Sequence, residues 1–394
     1  MISYILWDKS AELFSWGQFT MRWNGFLLIL AFIIGRQILV HIYKKEGKPT
    51  KEVEIQAIYL IIAIFLGARL GHVIFYQPQL WTKPLAVFFP FEFKPAFHFT
   101  GMTGFSSYGA ALGILCAIWL YSRLKKPGQP YLHLLDRISI LSVWIAVPIL
   151  VGSFLNSEIE GKPTGSSVGT VLIRPITSGI LQLPCCIMRN PGGKNPLTQV
   201  IARKDKDIAK KDFTAEAQSR EGGVEGTEKG HHSIVLYLFF KPGTPQKIVE
   251  EFQIGDVKTY LYDMSQVVYE PGTEPLHYTI FQEPNGDFEA RVRTTGVARY
   301  PVQLFESATS LLLFAFLFWY WNQHKLNLPS GRISGFCMTL FWSLRFVYEF
   351  LKEDQVSFIK GIGLNKAQFL CIPLILFGIT LLVFSYRKSV ISNR

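Results

Sequence analysis

The sequence predicts an all-α polytopic membrane protein, with seven transmembrane helices and a small β-containing head inserted between spans four and five. Three observations carry this. Apolar residues make up 49% of the 394, and they are clumped into long runs rather than dispersed. Seven runs reach the roughly 20 residues that a helix needs to cross a ~30 Å hydrocarbon core. Between the fourth and fifth runs the pattern shifts to short β-type stretches divided by turn residues.

The runs cover approximately 24–43, 55–76, 104–123, 135–155, 303–322, 333–351 and 367–386. The third opens with "GFSSYGAALG", small and polar, and is expected to face protein or a cavity rather than lipid. Lys/Arg-rich loops follow the first, third, fifth and seventh spans: "KKEGKPTKE", "SRLKKPGQ", "NQHKLNLPSGR" and the tail "YRKSVISNR". Seven alternating spans put all four on one side, which is then cytoplasmic. The N-terminus, the 77–103 loop and the long segment 156–302 face outward. The net charge of +11 reads as orientation plus attraction to anionic lipid, with no nucleic-acid partner. Residues 1–19 carry Asp8, Lys9 and Glu12 and lack an apolar core with a cleavage site, so span one is expected to act as an uncleaved insertion signal. The domain plan is 1–155 (spans one to four), 156–302 (head) and 303–394 (spans five to seven).

Within the head, 233–240, 257–264, 276–283 and 288–295 read as strands, and "EPNGD" as the turn of a hairpin. The charged, glycine-containing stretch 201–230 is expected to be a mobile loop. Cys116, Cys337 and Cys371 lie in spans and read as small core residues, while Cys185 and Cys186 are too close for a strain-free disulfide. No metal-ligand spacing, phosphate-binding loop or nucleophile elbow is present, so neither metal nor organic cofactor is expected.

Ionisable residues inside spans are costly and mark function or internal pairing. Arg69 lies between Gly67 and Gly71, which permit a close backbone approach to another helix or to a ligand headgroup. Arg345 and Glu349 are spaced i,i+4 and can pair, and a held guanidinium suits phosphate oxygens. Asn156 and Glu158 follow span four within about one turn, before Gly161-Lys162-Pro163. Asp136 reads as a cap or anchor at the start of span four. Arg299, Gln303 and Glu306 enter span five, the last two on one face, where a structural network is the other reading. Together Arg69, Arg345, Glu349, Asn156 and Glu158 outline an outward cavity for an anionic headgroup.

The stretches "GARLGHVIFYQPQLW", "GFSSYGAALG", "LLDRISILSVWIAVPILVGSFLNSEIEGKPT", "RYPVQLFE", "SLRFVYEFLKED" and "LNKAQFLCIPLILFGI" occur in the order and spacing of one family. The chain resembles the bacterial prolipoprotein diacylglyceryl transferases. The resemblance implies transfer of diacylglycerol from phosphatidylglycerol to the lipobox cysteine thiol of a preprolipoprotein, with glycerol phosphate leaving. It implies catalytic roles for Tyr108, Glu158 and Arg345, and substrate-binding roles for Arg69, Asn156, Gly161, Arg299, Gln303, Glu306 and Glu349. The implied partners are phosphatidylglycerol or another anionic phospholipid, the preprolipoprotein signal peptide, the membrane, and an envelope protein through the head. The implied location is the bacterial inner membrane, with N-terminus and head periplasmic and C-terminus cytoplasmic. Leu150, Ser153, Tyr108 and Asn24 stand where the family writes Arg, Asn, His and Tyr. With Tyr108 in the histidine's place, His72 and His98 are the nearby imidazole candidates for a base. The same departures define a second reading, a non-catalytic paralogue that binds lipid or prolipoprotein as a subunit or chaperone of envelope assembly.

Overall fold

The computed structural model describes residues 4–16, 19–75, 77–82, 91–92, 98–99, 106–124, 130–184, 194–204, 230–353 and 364–392. Most of the expected mobile loop, the Cys185–Cys186 pair and most of the 77–103 loop lie outside the described residues. The chain divides into two compact units. One comprises Met1–Leu27, Ile149–Ser307 and Val347–Asn365; the other comprises Leu28–Pro148, Ala308–Phe346 and Lys366–Arg394.

The long helices are α1 (Trp23–Lys45), α2 (Lys51–Phe75), α3 (Ser107–Leu124) and α4 (Tyr131–Leu155), followed after the head by α8 (Val302–His324), α9 (Arg332–Tyr348) and α10 (Lys366–Ser392). The head supplies the short helices α5 (Arg174–Ile180), α6 (Gln246–Glu251) and α7 (Lys258–Asp263). Among the described residues five helices are long and apolar enough to cross a membrane: α1, α2, α4, α8 and α10. The protein is therefore a mostly helical, polytopic integral membrane protein. Helix α3 carries a shorter apolar stretch, Gly109–Leu124, and α9 has 17 residues.

Within the second unit, α2 and α3 cross through glycines. A Cβ added at Gly109 would lie 2.2 Å from the Gly67 carbonyl oxygen, and one at Gly113 would lie 2.2 Å from that of Ala63. Gly71 would meet the Gly109 Cα at 2.6 Å. Backbones in contact on this scale are how small residues join helices in lipid. The glycines flanking Arg69 therefore serve a helix partner.

Two carboxylates tie the same unit together. Glu46, just beyond α1, accepts from Arg137 Nε (2.8 and 3.1 Å), Arg137 Nη2 (2.7 Å), Trp321 Nε1 (2.9 Å) and Lys48 (2.9 Å). Burial alone would raise its pKa; the Arg137 charge and these bonds bring it below the ordinary carboxylate value. Asp136 does not cap its own helix, which begins five residues earlier. It accepts instead from Gly331 N, Ser334 N and Ser334 Oγ (2.8, 2.8 and 2.7 Å), capping the start of α9. Cys337 and Cys371 are buried as expected, whereas Cys116 is exposed.

The first unit contains a five-stranded sheet. Strands β7 (Leu197–Lys204), β8 (His231–Phe240), β11 (Phe288–Val297) and β10 (His277–Gln282) are antiparallel neighbours, and β9 (Val268–Tyr269) joins β11. Alternation along β8 sends Ile234, Leu236, Leu238 and Phe240 into the core with Ile173, Ile176 and Ile180 of α5. The "EPNGD" turn closes β10–β11 as expected, with Gly286 at φ +86.

Two expectations change, and strands that the sequence reading did not call are added at the N-terminus. Residues 257–264 are helical: a π-turn over Phe252–Val257 leads into α7. The extra residue in that turn brings Val257 and Leu261 onto the buried side with Val249 and Phe252. The polar stretch begins later than expected, because 201–204 belong to β7. The N-terminal segment is structured, with β1 (Ile5–Trp7) parallel to β6 (Thr170–Leu172), and β2 (Glu12–Trp16) antiparallel to β3 (Phe19–Arg22).

Candidate functional site

The site begins where α4 ends. Ser157 takes φ +59, its N–H donates to the Phe154 carbonyl (2.9 Å), and the Glu158 N–H reaches back to Ser153 (3.2 Å). This pair of bonds closes a Schellman cap with a non-glycine residue in the left-handed position. The reversal leaves the Glu158 carboxylate exposed, accepting from the Ser153 hydroxyl. Asn156 gives its carbonyl to Arg174 Nη1 (3.2 Å), and its side-chain Oδ1 is buried with no hydrogen-bond partner among the described residues.

The chain from Glu160 to Thr164 then runs between two others. On one side Lys162 N donates to the Leu351 carbonyl, and Glu353 N to that of Glu160, both at 2.8 Å. On the other, Tyr300 N donates to the Lys162 carbonyl (3.1 Å) and Thr164 N to that of Ala298 (2.8 Å). Gly161 is required at the crossing, since a Cβ there would lie 2.0 Å from the Tyr300 carbonyl oxygen.

Charged side chains lock this frame. Lys352 Nζ lies 2.8 Å from Glu160 and 3.2 Å from Glu306. Buried Arg299 donates from Nε to the Gln266 carbonyl (2.6 Å), and from Nη1 to the Gly161 carbonyl (2.8 Å) and to Glu353. Gln303 donates to the Glu158 carbonyl (2.8 Å), and Glu349 accepts from Asn365 Nδ2 (3.1 Å).

Seven of the sequence-derived site residues thus lie in one compact unit: Asn156, Glu158, Gly161, Arg299, Gln303, Glu306 and Glu349. Arg69, Tyr108 and Arg345 belong to the other unit. Arg69 is buried in α2, Tyr108 is the second residue of α3 with its side chain outside what is described, and Arg345 lies in the last turn of α9. Glu349 opens the 3-10 turn that follows α9. The two imidazole candidates by sequence, His72 and His98, lie in the last turn of α2 and in the two-residue strand β5 (His98–Phe99).

Glu160 stands with Asn156 and Glu158 in the polar lip that the sequence shows after span four, whereas sequence reading did not single out Lys352, Glu353 or Arg174. Lys352 and Glu353 stand inside the recognised stretch "SLRFVYEFLKED", which is the signal that could have flagged them. The set holds carboxylates, an amide, a hydroxyl and arginines at a helix mouth. Among the described residues no cluster of His, Cys, Asp and Glu is suited to a metal ion.

A polytopic helical fold whose polar mouth joins the ends of its fourth and later helices fits a lipid-handling membrane enzyme, and comparison with known proteins gives the family. The family model for prolipoprotein diacylglyceryl transferase matches residues 11–384, and the chain belongs to that family. Two relatives align over 98% of the chain: a protein of Bacteroides fragilis (22% identical, 96% of its length) and one of Porphyromonas gingivalis (24%, 97%). A protein of Chloroherpeton thalassium is 36% identical over 172 residues, 44% of this chain and 60% of its own length. All three are named phosphatidylglycerol–prolipoprotein diacylglyceryl transferase, which supports a function in lipoprotein maturation.

Proposed function

We propose that this chain transfers the diacylglyceryl group of phosphatidylglycerol to the cysteine thiol of a prolipoprotein. The observation that carries the reading is the closure of 156–163, 298–306 and 349–353 on one another. These are the stretches through which the sequence resembles the family. In the reaction the thiol sulfur bonds to the glyceryl carbon as that carbon's bond to the phosphate oxygen breaks, and glycerol phosphate departs with the electron pair. Glu158, exposed and held by Ser153 and Gln303, is the group suited to accept the thiol proton. Arg69 and Arg345 are the cations assigned to the departing phosphate. Asn156 and Glu349 line the mouth. Gly161, Arg299, Gln303 and Glu306 hold its frame, and Tyr108 takes the position that the family's third-span motif gives to a histidine.

The proposed topology is seven spans with a periplasmic head in the inner membrane, and parity supports it. β1 pairs with β6, and Lys162 bonds Leu351, inside one unit. The chain therefore returns to the same membrane face in each interval, which takes an even number of crossings. The first interval holds three long spans and the second holds one, which supports reading α3 and α9 as the further crossings. The positive-inside rule then puts this face outward, with the C-terminus cytoplasmic. The proposed domain plan keeps 156–302 as the head, where an envelope protein would dock.

The second reading, a binding paralogue, draws on Leu150, Ser153, Tyr108 and Asn24. One experiment separates the two: expression in cells depleted of their own transferase, following thioether-lipid modification of a reporter prolipoprotein. Modification is expected. No modification, either by this chain or by its Leu150→Arg/Tyr108→His/Ser153→Asn variant, contradicts the proposal.

A further inference from the structure

The mouth carries two arginines that the frame does not use. Arg174 opens α5 and donates one of its five N–H groups, to the Asn156 carbonyl at 3.2 Å. Arg22 ends β3, is exposed, and is followed directly by Trp23, the first residue of α1. Among the described residues no carboxylate forms an ion pair with either guanidinium, in contrast to Arg137, Arg291 and Arg299.

Backbone and packing bring the two together at the end of α4. Asn24 lies against Gly152, where an added Cβ would be 2.1 Å from its Oδ1. Asn156, one turn further along, bonds back to the Gly152 carbonyl (2.9 Å) and carries Arg174 on its own carbonyl. The buried, unpartnered Asn156 Oδ1 marks the same spot as incompletely satisfied; an amide turned over there would present N–H instead. Burial, and after it the charge of Arg22, holds the Arg174 guanidinium below its ordinary value, with Glu12 offsetting part of this. Two like charges kept close at the start of a membrane span are offset only in part by Glu12, the cross-strand neighbour of Arg22.

We propose that Arg22 and Arg174 form a phosphate-binding subsite at the outward end of α4, taking the phosphodiester of an anionic lipid headgroup or a free phosphate monoester. The planar forks of two arginines suit tetrahedral phosphate oxygens. The position beside Trp23 puts the site at headgroup level. This rests on the reading of the mouth as lipid-handling, but it concerns binding and does not require turnover.

The test uses the full-length protein in dodecyl maltoside. Binding of dihexanoyl-phosphatidylglycerol and of glycerol 1-phosphate is measured by calorimetry for wild type, Arg22→Gln, Arg174→Gln and Arg174→Lys. Each Gln variant is expected to weaken phosphatidylglycerol binding about tenfold, Arg174→Lys less, and added salt to reduce the differences. Glycerol 1-phosphate binding with the same variant pattern identifies free phosphate as sufficient; pattern only with the lipid identifies the headgroup in its chains. Unchanged affinity in both Gln variants overturns the proposal. So does a loss confined to Arg174→Gln with a matching fall in melting temperature, which would leave Arg174 as a cap on α4. Transfer activity is assayed in parallel. Normal turnover by both Gln variants with unchanged binding sinks this subsite alone, whereas variant-sensitive binding without turnover sinks the transferase reading alone.

Discussion

Replacing Gly161 by alanine tests the frame of the site at its tightest point. The new methyl carbon would start 2.0 Å from the Tyr300 carbonyl oxygen, 2.9 Å from its carbon and 3.1 Å from the Tyr300 nitrogen. All three are backbone atoms, so no side chain can swing aside. Reaching even a tight 3.0 Å requires the two chain segments to part by about 1 Å. That displacement stretches Tyr300 N→Lys162 O and Thr164 N→Ala298 O, now 3.1 and 2.8 Å, beyond bonding range. Two lost bonds at roughly 1 kcal/mol each, on top of overpacking strain of about 1–3 kcal/mol, give a cost of roughly 3–5 kcal/mol. The Arg299 bond to the Gly161 carbonyl shifts with it, and Glu158, three residues earlier, loses its register. A misplacement of about 1 Å near reacting groups reduces turnover on the order of 100-fold. The assays are thermal unfolding in detergent and transfer of labelled diacylglycerol to a lipobox peptide. Gly255→Ala, where the added carbon meets open space, is the control and is expected to leave both unchanged. A Gly161→Ala protein with wild-type midpoint and rate would refute the close approach and the frame built on it.

Glu46→Ala strands the buried Arg137 guanidinium and is expected to cost about 3–5 kcal/mol in the same unfolding assay. Because the folded-state pKa of Glu46 lies below its ordinary 4.5, its stabilisation is complete above that pH. It is lost as pH falls further, so the wild-type midpoint should drop on acidification below about 4.5, and the Glu46→Ala midpoint less steeply. Ser157→Gly relieves a left-handed conformation and should raise stability by about 1 kcal/mol with Glu158 undisturbed, read from unfolding and activity together. Gly109→Val puts branched carbons where backbone already sits, and should lower the yield of folded protein and its melting temperature sharply.

Hydropathy made the long helices legible because lipid imposes a length on each, and it placed α3 despite its polar opening. The misread segment 257–264 alternates Thr-Tyr-Leu-Tyr as a strand would, and nothing local announces the π-turn that rotates Val257 and Leu261 inward. Strand β7 was missed altogether because its last residues, Ala202-Arg203-Lys204, merge into a charged stretch. Asp136 was legible as a cap but not as the cap of a helix 195 residues away. The site divides in the same manner. Asn156, Glu158 and Gly161 announce themselves by following a span, whereas Lys352 matters only through carboxylates that the fold brings to it, Glu306 being 46 residues distant. Arg174 looked like any surface residue of the head until Asn156 was found on its guanidinium.

The most direct measurement of the central claim uses purified protein, phosphatidylglycerol labelled in its glyceryl group, and a synthetic lipobox peptide, with the product read by mass spectrometry. The account predicts a peptide heavier by one diacylglyceryl group in thioether linkage, with glycerol phosphate released in equal amount. An unmodified peptide, in micelles where a relative carrying Arg, Asn, His and Tyr at positions 150, 153, 108 and 24 modifies it fully, would contradict the account.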